Sequence, residues 1–94
     1  MIALIAKLNV AEGKGAGFEA AFAKLVDAVR ADEPGNQLYH LCKAEDGSYT
    51  VMELYDDDAA IDAHRDSTHF KEIGASLGEF MAGRPDVQRL EVVK

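Results

Sequence analysis

A chain of 94 residues, 48 % of them hydrophobic and none of them Trp, is one globular domain around one core, residues 1–94, and a core of that size leaves so little stability in hand that a partner chain would help. Seventeen acids against ten bases give a net charge of −7, which repels phosphate backbones and anionic lipid, so neither nucleic acid nor a membrane is an expected partner. The single cysteine, Cys42, excludes an internal disulfide and a dithiol motif and is expected to be a small core side chain.

The chain opens with Met1-Ile2-Ala3-Leu4-Ile5-Ala6, apolar but short and without a basic leader, which reads as a strand rather than a targeting segment. Nothing approaches the ~20 apolar residues of a membrane span, so a cytoplasmic protein is the expectation. Over residues 2–10, Ile2, Leu4, Ala6, Leu8 and Val10 share one face and Ala3, Ile5, Lys7 and Asn9 the other; the first set is core. Residues 11–17, with three alternating glycines, read as a loop leading into a helix. They lack the spacing of a phosphate-binding loop.

From Phe18 to Ala31 the apolar positions Phe18, Phe22, Leu25, Val26 and Val29 mark an amphipathic helix, and Asp32-Glu33-Pro34-Gly35-Asn36 ends it because Pro34 cannot continue the hydrogen-bond ladder. Residues 37–44 alternate as a strand, with Leu38, His40 and Cys42 opposing Tyr39, Leu41 and Lys43. Glu45-Asp46-Gly47 makes a hairpin turn into the partner strand Tyr49–Tyr55.

Acids at Asp56, Asp57 and Asp58 complement the positive end of a helix that begins near Asp57. Ile61, His64 and Thr68 fall on one face of it, so His64 is expected to look inward. Ser67 or Thr68 caps a second segment in which Phe70, Ile73, Leu77, Phe80 and Met81 recur at helical spacing. His64 and His69 are five residues apart and do not share a helix face as zinc ligands at i and i+4 do, so no metal site is expected. Ala82-Gly83-Arg84-Pro85-Asp86 is a stop, and residues 87–93 form the last strand.

The order β-α-β-β-α-β is the split arrangement of a ferredoxin-like α+β fold, a four-stranded antiparallel sheet with both helices on one face. The other face is left to solvent or a partner, and the apolar Ile5, Leu41 and Val51 with the closing strand point to a homodimer packed sheet to sheet.

Glu33-Pro34-Gly35-x-x-x-Tyr39, Glu53-Leu54-Tyr55-Asp56 and Ala60-Ile61-Asp62-Ala63-His64-x-x-Ser67-x-His69-Phe70, in this order of elements, resemble the antibiotic biosynthesis monooxygenase domain family over nearly the whole chain. The resemblance implies a dimeric α+β barrel of ferredoxin-like halves. Some members of that family oxidise phenols or quinols with oxygen and without metal or flavin, others degrade haem, and many have no assigned reaction. This sequence departs from the catalytic branches: it has no Trp, and Ala6 stands where their pocket asparagine lies. Haem degradation is therefore not expected.

Oxygenation without a cofactor needs a base near neutral pH, a donor for the phenolate and a dry pocket. His64 and His69 are the candidate bases; His40, Tyr39, Tyr49, Tyr55, Glu53 and Phe70 are the candidate substrate-binding residues, with Glu53 also able to pair with Arg65 or Arg89. Three readings stand side by side: a cofactor-independent oxygenase acting on a small hydroxylated aromatic, a dimeric module that binds or senses a small apolar ligand without turning it over, and a dimer with no ligand.

Overall fold

The computed structural model describes residues 1–94. Its elements are β1 (Ile2–Leu8), α1 (Gly15–Asp32), β2 (Asn36–Lys43), β3 (Tyr49–Tyr55), α2 (Asp58–Asp66), α3 (Thr68–Leu77), a short 3-10 turn (Gly78–Phe80) and β4 (Asp86–Glu91). The sheet order is β2-β3-β1-β4 with every neighbouring pair antiparallel, the ferredoxin-like α+β arrangement. No helix is long and apolar enough to cross a membrane.

Register decides which side chains meet the helices. Leu4 and Ala6 on β1 stand opposite Glu53 and Val51 on β3, and Val51 and Glu53 stand opposite Leu41 and Tyr39 on β2. This face carries the core, where Phe18, Phe22, Leu25 and Val29 of α1 meet Tyr39, Tyr49 and Val51 of the sheet. At the other end of the molecule Ile61 of α2 packs with Leu4 and Tyr55. Leu41 and Val51 thus belong to the helix side, and the surplus apolar surface of the open side is Ile5, Leu38, Met52, Leu54 and Leu90, with Met52 43 % and Leu90 41 % exposed. Cys42 lies on that open face, half-buried, and not in the core. The residue alternation places it there; only the assumption that an apolar strand residue faces the helices had put it inside.

Several boundaries differ from the sequence reading: β2 starts and ends one residue earlier, β4 is Asp86–Glu91 rather than residues 87–93, α3 stops at Leu77 before Phe80 and Met81, and three more bear on packing. Val10 leaves β1 and makes one isolated bridge to Met81. Gly15 and Gly17 lie in the first turn of α1 rather than in a loop, because the helix start is pressed against other elements: an added Cβ would stand 2.8 Å from the Tyr49 hydroxyl at Gly15 and 2.7 Å from the Phe80 ring at Gly17. Thr68 is exposed and begins α3, so it does not share the inward face of Ile61 and His64.

Candidate functional site

Two breaks in the helices bring distant residues together. Glu33 closes α1, its N–H donating to the Val29 carbonyl, and the chain then reverses through Pro34 and Gly35. The Gly35 carbonyl accepts from Asp56 N–H, and a Cβ at Gly35 would come within 2.6 Å of the Ala60 Cβ, so the reversal lies directly on the first turn of α2. Asp57 caps α2 by accepting from Ala60 N–H at 2.9 Å. Four residues beyond Ala60, one helical turn on, comes His64.

Ser67 ends α2 and starts α3. Its hydroxyl donates to the His64 carbonyl at 2.6 Å and accepts from Phe70 N–H at 3.2 Å, while its own extended backbone redirects the chain. That bend carries His69 back towards Glu33. The two histidines, which a continuous helix would turn apart, converge on one carboxylate.

Glu33 Oε2 accepts from His64 Nδ1 at 2.8 Å and from His69 Nε2 at 2.5 Å, and Oε1 lies 3.0 Å from the same His64 nitrogen. The side chains of Glu33, His64 and His69 are 6 %, 5 % and 15 % exposed. A carboxylate only accepts, so the proton of neutral His64 sits on Nδ1 and its Nε2 presents a lone pair. One ligand atom from each of the three residues falls within 4.8 Å of the others, a donor set that suits zinc or ferrous iron. Their 2.5 and 2.8 Å separations are those of hydrogen bonds, however, and ligands about 2.0–2.1 Å from a tetrahedral ion stand over ~3 Å apart. As arranged, the cluster holds protons.

The free edge of His64 opens on a cavity of about 330 Å³ lined by 19 residues, 12 of them hydrophobic. Leu4, Ala6, Phe18, Phe22 and Val51 form its buried floor, and Tyr39, Glu53, His64 and Arg65 supply its charged and hydrogen-bonding side chains. The His64 ring is caged by Phe70, Tyr39 and Tyr55 at centroid distances of 4.7, 5.4 and 5.6 Å. Tyr55 donates to Glu53 Oε1 at 2.6 Å. No fully enclosed side-chain nitrogen or oxygen lacks a partner, so His64 Nε2, the Tyr39 hydroxyl and Glu53 Oε2, which have no partner in the protein, touch free volume.

Burial governs how these groups ionise. It pushes the Tyr39 phenol far above its ordinary value, reinforced by the charges of Glu53 and Glu33, so Tyr39 remains a donor at any physiological pH. Burial likewise raises Tyr55, with Glu53 beside it. The Glu53 carboxyl is raised by burial, while the Tyr55 hydrogen bond and the charges of His64 and Arg65 pull it back.

Of the sequence candidates, His64, Tyr39, Glu53 and Phe70 line the cavity. His69 stands behind Glu33, and Tyr55 stands behind His64 and Glu53. His40 and Tyr49 lie elsewhere. His40 is exposed on the open-face side of β2 with Leu38 and Cys42, its Nδ1 2.8 Å from an Arg30 nitrogen, because strand alternation turns it away from Tyr39. Tyr49 is buried near the start of α1 and donates to Glu19. Glu53 pairs with neither arginine: Arg89 binds Asp58 at 2.6 Å and Arg65 has no partner. Glu33 was legible as part of a helix stop and of the motif Glu33-Pro34-Gly35-x-x-x-Tyr39, but not as a site residue. The signal that would have found it is a buried acid immediately before Pro34-Gly35, where the chain must turn back onto the helix that carries His64.

The antibiotic biosynthesis monooxygenase family model matches residues 1–76. The chain belongs to that family. The Bacillus subtilis protein named "Putative monooxygenase YcnE" is 32 % identical over 94 residues, covering 98 % of each chain. Among solved structures, a Caulobacter crescentus protein described as a "putative antibiotic biosynthesis monooxygenase" superposes with a TM-score of 0.94 at 38 % identity, over 99 % of this chain and 90 % of that one. Rv0793 from Mycobacterium tuberculosis gives a TM-score of 0.89 at 26 % identity, over 99 % and 95 % of the two chains. These names support a general monooxygenase-like role.

Proposed function

We propose that this member of the family is a monooxygenase that oxidises a quinol or hydroxylated aromatic with molecular oxygen, the substrate itself supplying the electrons, without metal or flavin. The observation that carries the reading is a single one: His64 Nδ1 is held by the buried Glu33 while the same ring, its Nε2 without a protein partner, lines an apolar cavity. A carboxylate that fixes one imidazole nitrogen as donor leaves the other as a base of defined direction, the division of labour seen in acid–base dyads.

In this reading His64 Nε2 takes the hydroxyl proton of the bound aromatic. Tyr39, whose phenol burial keeps protonated, donates a hydrogen bond to the resulting anion. The anion passes one electron to oxygen, the radical pair joins at a hydrogen-bearing ring carbon ortho or para to the ionised hydroxyl, and the hydroperoxide so formed loses water to leave a carbonyl. One oxygen atom enters the product and one leaves as water, made with the proton returned by His64 and the hydrogen of the ring carbon. The apolar floor excludes bulk water, which would otherwise stabilise the anion in its unreactive solvated form. A cavity of about 330 Å³ is at the small end of the range for ligand sites and suits two or three fused rings.

Oxygen consumption by metal-free protein with a panel of naphthols and hydroquinones tests the proposal. Uptake above the uncatalysed rate, with one carbonyl formed per oxygen consumed and loss of uptake in His64→Ala, is the expected result. The same cavity also serves a module that binds without turnover; saturable binding of panel members with no oxygen uptake by any would replace the oxygenase reading with that one.

A further inference from the structure

We propose that the cavity selects aromatic ligands carrying an anionic group, a carboxylate above all, which Arg65 holds at the mouth while the ligand's hydroxyl lies inside. This rests on reading the cavity as the substrate site, and it names the class of substrate that site takes.

The lining residues divide by depth. On β1, β3 and α1 the lining is apolar apart from Glu53 and buried apart from the half-buried Leu8, whereas Arg65, Gly78, Gly83, Pro85 and Val87 are exposed, so the opening lies between the end of α2 and the stretch from the end of α3 to β4. Arg65 is the one Lys or Arg among the 19 lining residues. It forms no ion pair and no side-chain hydrogen bond, while the other arginines near the sheet are engaged, Arg89 with Asp58 and Arg30 with the Tyr39 carbonyl and His40. In a chain of net charge −7 an unpaired guanidinium on the rim of an apolar cavity is the local exception to a field that would repel an anion.

The helix sets its position. Arg65 follows His64 by one residue, about 100° around α2, so one turn presents the imidazole to the interior and the guanidinium to the rim of the same opening. Arg65 already acts inside the cavity, being one of the charges that lower Glu53 against the effect of burial. A planar fork of donors that is solvated when empty loses little on waiting and gains a charge-assisted, two-point contact when a carboxylate arrives.

The experiment compares two matched probes, 1-naphthol and 5-hydroxy-1-naphthoate, which carries the carboxylate at the far end of the ring system, by equilibrium fluorescence titration under nitrogen, so that turnover plays no part. The wild-type protein is expected to bind the acid about tenfold or more tighter than the naphthol. Arg65→Gln should erase that preference while leaving naphthol affinity within about twofold, Arg65→Lys should keep part of it, and added salt should weaken only the acid. Equal affinities in wild type, a preference that survives Arg65→Gln, or binding of neither probe overturns the proposal. Tight, Arg65-dependent binding of the acid with no oxygen uptake in air would uphold the anion site and sink the oxygenase reading instead.

Discussion

Glu33 and His64 stand 31 residues apart in the chain and 2.8 Å apart in the interior, the acid closing one helix and the histidine facing inward from the next. If this contact directs the base, Glu33→Gln should damage catalysis more than binding. The amide donates through its NH2 group, which allows His64 to carry its proton on Nε2 and blunts the lone pair facing the cavity. A loss of about 10²–10⁴-fold in kcat with substrate affinity within a few fold is expected in steady-state oxygen uptake.

His64→Ala separates three roles. A catalytic base gives lost turnover with nearly unchanged binding, since its interaction is made mainly in the transition state. A ligand contact gives weakened affinity. A structural histidine gives a loss of about 1–3 kcal/mol in urea denaturation, from Glu33 left short of a donor, with ligand behaviour unchanged. The first pattern is expected, accompanied by part of the third because the pair is buried.

Much of this arrangement was readable from residue order, and the unread part has a physical cause. The strand alternation of residues 2–8, the hairpin and the break at Ser67 were all visible, because each is a local preference of backbone or cap. His64 was visible as an inward residue by its spacing from Ile61. Glu33 was not, because its role depends on a contact across 31 residues that no local preference encodes. His40 was misplaced for a related reason: strand parity separates two faces, yet it does not say which of them the helices cover.

Gly35 sets the distance between the two halves of the dyad. In Gly35→Ala the new methyl would stand 2.6 Å from the Ala60 Cβ, well inside ordinary contact, and α2 must move away from the end of α1. A stability loss of about 1–3 kcal/mol and a fall in turnover are expected. Adding Ala60→Gly to that variant should recover turnover and show favourable coupling in a double-mutant cycle, although Ala60→Gly alone costs about 1 kcal/mol as a helix glycine.

Glu53 gives a dependence on pH whose sign can be stated. Burial raises its folded value above the ordinary 4.5, so between that value and the raised one the native protein binds more protons than the unfolded chain. Its contribution to stability is therefore present below pH 4.5 and is lost as pH rises through the folded value. Glu53→Gln should flatten that fall and be the more stable protein at neutral pH. Denaturation midpoints across this range would show a parallel pair of curves if Glu53 were not responsible.

The open sheet face predicts self-association. Ile5, Met52, Leu54 and Leu90 lie on the side the helices leave bare, and a homodimer joined there is expected to show twice the 10.2 kDa chain mass by light scattering. Ile5→Asp should dissociate or unfold it, an unpaired carboxylate in an apolar contact costing several kcal/mol. Cys42 shares this face, so its thiol should react slowly in the wild type and quickly in a folded Ile5→Asp monomer. A wild-type mass of one chain would end the idea.

The cavity is walled by the same side chains that hold the fold together: Leu4, Phe18, Phe22, Leu25, Val51 and Leu77. Occupancy and folding are consequently linked quantities, and whatever fills the space finishes a core that the polypeptide leaves partly hollow. A ligand present at a hundred times its dissociation constant adds about 2.7 kcal/mol to the native state, which in a domain this small raises Tm by on the order of 10–20 °C. The melting curve can therefore screen a library blind to chemistry, and a compound that moves it to higher temperature is a ligand before any reaction has been named.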